Sequence, residues 1–414
     1  MQTIAIIGGG VSGLTLGKLL SKSNNVTIYE TDSKPGGLIK CRRVNGSLFH
    51  TCGGHVFNTR NPQVLNFFWS IFERDKEFCQ SDRNSIVMLP SGLKIPYPIE
   101  NYIYLFPNEI LRAIISDIIN LPKENRTSHN FREFLEKQFG KTLFEIYFKP
   151  YNEKIWKSDL SQIPLSWLDG KLPMPTPNDI IFNNIRRIEE KEFVHSTFWY
   201  ECHNGSQFIA DKMAEDLNIH YNSHINRILR SSNKWEIDGT LYDKVIFCGN
   251  LHELPFILTD FDLKRFSSEI AKLKSHGTTS VFCEIDNNPF SWIYLPDPKF
   301  DAHRIICTGN FSKTNNAVGK LTGTVEFTDE ISVEELSRQL PLLPLNPKYI
   351  AHQNNPLTYP IQSENTRKMI QELKSFLEPH NIFLCGRFAE WEYFNMDKAM
   401  ESAINLSDAI NKKL

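Results

Sequence analysis

A short apolar run, Gln2 to Ile7, opens the chain and breaks off at Gly8-Gly9-Gly10-Val11-Ser12-Gly13. Apolar positions from Leu14 to Leu20 then follow helical spacing, and Val26 to Tyr29 reads as a second buried strand ending at Glu30. Strand, glycine-rich turn, helix and strand together outline a βαβ unit that binds a dinucleotide. Gly8 supplies the tight turn, Gly10 leaves room for backbone to approach a pyrophosphate, and Gly13 lets the helix close on the strand. Free N–H groups at Val11, Ser12 and Gly13 start the helix where a pyrophosphate is favoured. The carboxylate of Glu30 stands where a ribose hydroxyl is recognised.

Beyond this unit the period changes. Asn61-Pro62 opens a helix with Val64, Leu65, Phe67, Phe68, Ile71 and Phe72 at helical spacing, and Pro107 to Leu121 and Phe131 to Tyr147 continue that pattern. These runs predict an inserted helical subdomain. The proline-rich run Lys171 to Pro177 cannot continue a helix and reads as a mobile loop. Ser206 to Leu217 is one more helix; Ile219 to Tyr221, Ile225 to Leu229, the Asp238-Gly239 turn and Val245 to Cys248 then return to strands. From Gly277 to Tyr359, Ser280 to Ile285, Trp292 to Leu295, Arg304 to Cys307 and Leu321 to Phe327 predict an antiparallel sheet, with Ser332 and Glu335 capping a short helix. Ile382 to Cys385 is a last buried strand, and a helix starts near Met396.

The expected fold is α/β: a Rossmann-type dinucleotide domain from 1–95, 195–255 and 378–414, a helical subdomain over 96–194, and an antiparallel-sheet substrate domain over 256–377. The 414 residues suffice for such a division. A hydrophobic share of 41% and a net charge of -2 point to an ordinary globular protein and away from nucleic acid. Eight cysteines lie scattered without zinc spacing, so no metal is expected and all are read as reduced thiols of a cytoplasmic protein. The chain starts on the nucleotide-binding strand and no apolar run approaches a membrane span, so neither a signal peptide nor a membrane anchor is expected.

Several patches together resemble the UDP-galactopyranose mutases within the FAD amine-oxidase-like superfamily. They are Ile4 to Gly37, Gly53-Gly54-His55, Pro150-Tyr151-Asn152 to Trp156, Trp292 to Pro296 with Arg304, Tyr359-Pro360, and Gly386-Arg387 through Tyr393, Asn395, Met396 and Asp397. The resemblance implies FAD, active when reduced by NAD(P)H or another reductant, and a nucleotide-sugar substrate interconverted between pyranose and furanose forms for surface polysaccharide precursors. In that family the flavin N5 attacks the anomeric carbon, with no net redox change. It also implies site roles. Gly37, Leu38, Gly54, His55, Ile225, Gly386, Arg387, Asn395 and Met396 join the N-terminal residues around the cofactor. Tyr97, Asn152, Trp156, Lys171, Tyr294, Tyr359 and Tyr393 are placed at the substrate. His55, Arg304 and Arg387 are placed at the chemistry.

Guanidinium groups suit a departing diphosphate because their planar donors pair with its oxygens in a fork. Taken alone, Arg304 also reads as an ion pair with Asp301, and Arg387 as one with Glu390 or Glu392. Departures from the family pattern fall on the substrate side: Lys171 stands where eukaryotic mutases carry an arginine, Glu100 where they tend to carry an amide, and Asn58 and Asn395 where bacterial enzymes usually have His and Asp. An oxidase or desaturase of the protoporphyrinogen or amine oxidase type remains the alternative, and a non-catalytic flavoprotein subunit a third class. A homo-oligomer is left open.

Overall fold

The computed structural model describes residues 1–121, 127–165, 168, 175–188 and 197–412. Its nucleotide half is a five-stranded sheet in which Ile382–Leu384, Lys244–Phe247, Thr3–Ile7, Asn25–Tyr29 and Ile219–His220 lie side by side. All neighbours run parallel, with Ala5 opposite both Val245 and Thr27. Parallel strands buried on both faces need near-continuous apolar sequence, which is what Ile4 to Ile7 and Val245 to Phe247 provide. The helix Val11–Leu20 and the last helix, Met396–Lys412, cover one side, where Leu16, Leu20, Ala403 and Ile410 pack on Ile4, Ile6 and Ile28. Each such buried leucine or isoleucine contributes roughly 1.5–3 kcal/mol.

A second, seven-stranded sheet runs in the order Lys348–Ile361, Lys274–Glu284, Thr322–Thr328, Arg304–Ile306, Trp292–Tyr294, Ser85–Met88 and Lys94–Pro96. Alternation along its strands gives it two unlike faces. Val281, Cys283, Ile293, Ile305, Val325 and Phe327 turn to a core closed by Leu336 of the helix Val333–Gln339. Ser280, Thr324, Glu326 and Arg304 fall on the opposite face. Ser332 caps that short helix through the Glu335 N–H, as its spacing predicts.

The inserted helices include Asn108–Ile119, Phe131–Phe139, Lys149–Trp156 and Pro177–Arg186, built on Ile114, Phe131, Leu135, Phe139, Phe144 and Ile180. Between Phe144 and Phe148 the chain adopts a π-helical turn, and its Tyr147 stacks with Tyr151 of the next helix, ring centroids 5.4 Å apart. Trp292 and Tyr294, from the end of the seven-stranded sheet, belong to the same hydrophobic cluster. Helices and sheet thus share a core at this end.

Several elements differ from expectation. Ser85–Met88 and Lys94–Pro96 pair into the seven-stranded sheet although they precede the helical insertion, because Trp292 lies parallel to Ser85 and extends the sheet edge. The helices Lys264–Ala271 and Thr366–Leu377 pack on the parallel-sheet side, through Phe266, Ile270, Ile370 and Leu373. The longest strand, Lys348–Ile361, shows little apolar alternation because most of it is half-buried, and register shifts interrupt its pairing. Ile225 to Ile228 lies outside any strand, with pairing resuming at Leu229–Ser231.

The reading of eight reduced thiols also needs correction: Cys79 and Cys202 form a disulfide, their Cα atoms 6.1 Å apart. Antiparallel pairing of Phe78–Asp82 with Thr197–Glu201 brings the two together, and their separation of 123 residues hides that from the sequence. The six other cysteines are free. No helix among the described residues is long and apolar enough to cross a membrane, and no His, Cys, Asp and Glu cluster among them is placed to hold a metal ion.

Candidate active site

Loops at the carboxyl ends of the parallel strands make the first half of the site. Gly8 has φ +112°, and its N–H donates to the Tyr29 carbonyl at 2.8 Å. A Cβ on Gly13 would lie 1.9 Å from the Gly8 oxygen, so the helix closes on the turn only because no side chain stands there. Gly10 is different. Its backbone is extended, and a Cβ would meet nothing but the Gly37 Cα at 3.9 Å. The Gly36 N–H donates to the Gly9 carbonyl at 2.9 Å, so the 36–38 turn, which includes Leu38, lies beside the first loop. Gly386 adds a third loop, with its Cα hydrogen turned toward Ser12: a Cβ there would be 2.8 Å from Ser12 Oγ.

Gly10 and Gly37 lie against each other, a Cβ on Gly37 coming 3.3 Å from the Gly10 Cα, and this pair of bare glycines beside a helix N-terminus at Val11 fits a dinucleotide pyrophosphate. Glu30 is buried at the end of the second strand, where one carboxylate oxygen accepts the Gly9 N–H at 2.7 Å and the other the Asp32 N–H at 2.9 Å. Lone pairs left over can still accept from a ribose. Ile225 packs in the core behind Tyr29, a supporting position. Helix Met396–Lys412 starts where its sequence predicts, with Met396 buried, Asn395 exposed, and the Ala399 N–H donating to the Asn395 carbonyl. The Asp397 carboxylate takes the Asp397 and Lys398 N–H groups of this first turn.

The histidine loop forms the second half. Gly53 has φ +64°, and Gly54 is pressed on the strand Arg304–Ile306 so closely that a Cβ would come 2.6 Å from Ile306 Cγ2. Half-buried His55 donates its backbone N–H to His50 Nδ1 at 3.3 Å, and its ring Nε2 is buried without a hydrogen-bond partner. Burial, the nearby Arg387 and Arg304 lower its pKa to about 4, against the pull of Glu326 and a bond to the Leu38 carbonyl. The ring is therefore neutral at pH 7. Buried His50 bonds Tyr200 through Nε2 at 2.9 Å, and burial, reinforced by His55, lowers its pKa to about 3.

Arg304 and Arg387, distant in sequence, meet at Tyr359. Arg304 donates from its NH2 group to the Tyr359 hydroxyl at 3.4 Å, while the Arg387 guanidinium lies 5.4 Å from the Tyr359 ring and 4.4 Å from that of Tyr393. Tyr359 and Tyr393 stack on each other at 5.4 Å. Neither arginine makes the local pair that the sequence leaves open. Arg304 pairs with Glu326 rather than Asp301, and Asp301 takes Gln339 instead. Glu390 is held by Lys374, Ser402 and the Gly386 N–H, and Glu392 by Arg367. Arg387 donates one bond, to the Phe394 carbonyl, and its Nε is buried without a partner.

Tyr294 stands opposite Arg304 in the sheet, 5.0 Å from the Tyr97 ring and 5.4 Å from that of Tyr151. Asn152 donates to the Phe148 carbonyl of its own helix at 2.7 Å, and the carbonyl of buried Trp156 accepts from His276 Nε2 at 2.6 Å. Lys171 lies outside the described residues. Three further residues join this cluster. Tyr151 stands in a motif already singled out, but its contact with Tyr294 emerges only in the fold. Arg83 bonds the Tyr294 hydroxyl and lies 4.6 Å from the Trp292 ring, and no pattern in its surroundings marks it. Glu326 sits between Val325 and Phe327 in a strand of threonines and apolar residues buried throughout, where a lone acid is itself the signal.

Three histidines, His50, His55 and His303, have pKa values lowered chiefly by burial, and they make stability pH-dependent. Unfolded rings take up protons near pH 6.5, whereas the folded chain refuses them down to about 4 at His55 and about 3 at His50. The neutral-ring contribution is thus fully present above pH 6.5 and is lost as pH falls toward those values. Thermal midpoints measured from pH 7.5 to 4 are expected to drop steadily below 6.5, and His50→Gln to flatten the slope. An equally steep slope in that variant would locate the effect elsewhere.

Residues 6–70 match the model of an NAD(P)-binding Rossmann-like domain. Over 96% of this chain and 92% of the relative, the sequence is 22% identical to a UDP-galactopyranose mutase of Mycoplasma genitalium. A dTDP-fucopyranose mutase of Escherichia coli is 30% identical over 42% of this chain and 46% of its own length. The fold matches the crystal structure of a reduced UDP-galactopyranose mutase at a TM-score of 0.89 and 20% identity, covering 100% of this chain and 94% of that one. It also matches a putative protoporphyrinogen oxidase from Exiguobacterium at 0.78 and 14% identity, covering 100% and 99%. The resemblance to the mutases read from the sequence motifs therefore extends along the whole chain and to the fold.

Proposed function

We propose that this chain is an FAD-dependent mutase that interconverts the pyranose and furanose forms of a nucleotide sugar of the UDP-galactopyranose class, supplying a polysaccharide precursor. The observation that carries this reading is the meeting of Arg304 and Arg387 at one tyrosine, beside a neutral histidine loop and the end of a dinucleotide cradle. An enzyme for apolar substrates has little use for two guanidinium groups at its aromatic wall. Full-length similarity to a curated mutase supports the same class.

A flavin held beside Gly10 and Gly37 at the N-terminus of the first helix would, when reduced, supply a nucleophilic nitrogen for reversible exchange with the nucleoside diphosphate at the anomeric carbon. The chain's own groups do the rest. Arg304 and Arg387 hold the diphosphate while it is detached, and their fixed positive charge costs no reorganisation at that moment. Tyr294, Tyr151, Tyr359 and Tyr393 present apolar faces with polar tips to the sugar and the nucleoside, which keeps the detached fragments in register. His55 stays neutral, and its unpartnered Nε2 can accept or return a sugar hydroxyl proton when the ring opens.

Anaerobically reduced holoenzyme offered a panel of nucleotide sugars is expected to turn over UDP-galactopyranose or a close analogue without consuming reductant in proportion. Hydrogen peroxide formed in step with substrate loss would instead favour the oxidase reading.

A further inference from the structure

We infer that Glu326 is the positioning residue that sets Arg304 and the His55 loop relative to each other, so that one carboxylate fixes both the diphosphate clamp and the histidine at the flavin. The inference deepens the mutase reading and rests on it for the identity of the anion.

Glu326 lies in the middle of the strand Thr322–Thr328 and is 1% exposed. Its two oxygens serve different parts of the site. Oε2 takes Nε of Arg304, and Oε1 accepts the Gly53 N–H at 2.9 Å. With Nε spent on Glu326 and one NH2 bond directed to Tyr359, the outer edge of the guanidinium is left for a ligand. Gly53 is two residues before His55, in a left-handed turn whose direction that single N–H bond pins.

Charge cannot be the reason for this acid. Burial works to raise the Glu326 pKa, and Arg304 with His303 overrides it, so the carboxylate remains ionised. A diphosphate arriving at Arg304 therefore meets a buried negative charge beside the very cation that binds it, which weakens the attraction. Were binding governed by charge alone, removing that acid would tighten it. Arg304 Nε and the Gly53 N–H are both donors, however, with His303 Nε2 a further neighbour 3.5 Å from Oε2, and a glutamine has only one acceptor oxygen for them. Its NH2 group must face either Arg304 Nε or the Gly53 N–H. Glu326→Gln thus releases one arm of the site while raising its net positive charge, and geometry and electrostatics predict opposite outcomes.

The test uses FAD-loaded protein and UDP as the probe, by calorimetric titration of wild type, Glu326→Gln, Arg304→Ala and the double variant, with the flavin absorbance spectrum recorded for each. Glu326→Gln is expected to weaken UDP binding about tenfold or more. The double variant should bind no more weakly than Arg304→Ala, since Glu326 acts through that arginine. The flavin spectrum should shift in Glu326→Gln. UDP binding unchanged or tightened in Glu326→Gln, or losses that multiply in the double variant, would overturn the inference. If wild type binds no UDP, the mutase reading fails by itself, and a Glu326→Gln flavin spectrum identical to wild type then removes the tie to the His55 loop. Glu326→Asp, which keeps the charge but shortens the reach, serves the same comparison if the glutamine variant does not fold.

Discussion

Gly10→Val is expected to give a protein that folds and emerges colourless. Gly10 has ordinary extended backbone, and in the fold a Cβ there meets only the Gly37 Cα at 3.9 Å, so the polypeptide tolerates the side chain. A pyrophosphate laid on the N-terminus of the first helix does not, because the branched side chain occupies its approach. Far-ultraviolet circular dichroism and thermal midpoint of the apoprotein should match wild type, while reconstitution with FAD gives no absorbance near the flavin bands. Gly13→Ala is the contrasting control. Its Cβ would lie 1.9 Å from the Gly8 oxygen, so it should damage folding itself by forcing helix and turn apart. A yellow Gly10→Val protein with full FAD occupancy would dismiss the cradle and with it the cofactor assignment.

Arg304→Ala and Arg387→Ala should each weaken UDP binding by roughly ten- to a hundredfold, the equivalent of losing charge-assisted bonds of about 1.5–3 kcal/mol. Their effects on stability should differ. Arg304 neutralises a buried acid, and its removal leaves Glu326 with only His303 beside it; breaking a buried pair typically costs about 3–5 kcal/mol. Arg387 makes no such pair among the described residues, so its loss should leave the thermal midpoint nearly unchanged while binding falls. Arg387→Lys should recover part of the affinity only, because an ammonium keeps the charge but neither the fork nor the planar stack on Tyr393. In the double alanine variant the cost should be less than the sum if the diphosphate shifts to whichever cation remains. Unchanged affinity in both single variants would leave the oxidase reading ahead.

How far the sequence reached can be seen by comparing residues. Gly8, Gly10, Gly13 and Glu30 are legible because a βαβ unit is local: strand, turn, helix and acid lie within a short stretch and each is demanded by a nearby neighbour. Asn61 and Ser332 are legible for the same reason, as caps that bond amides two or three residues on. The strands Lys274–Glu284 and Thr322–Thr328 announce themselves through alternation, whereas Lys348–Ile361 and the order of the sheet do not.

Local signals stop where partners are distant. Cys79 and Cys202 find each other only because two remote strands pair, and Ser85–Met88 joins a sheet whose other strands come much later in the chain. At the site, sequence motifs nominate Arg304 and Arg387 but leave open whether nearby acids neutralise them. The fold answers by giving those acids to Gln339, Lys374 and Arg367, and by giving Arg304 to Glu326. Tyr151 joins the aromatic wall beside Tyr294, and Arg83 arrives from a link between two strands that no motif marks. Sequence by itself therefore determined which chemistry is present, since residue types and local spacing set the cradle and the charges. Tertiary structure alone decided which charges are spent on each other and which are left for a ligand, because that choice depends on contacts between strands far apart in the chain.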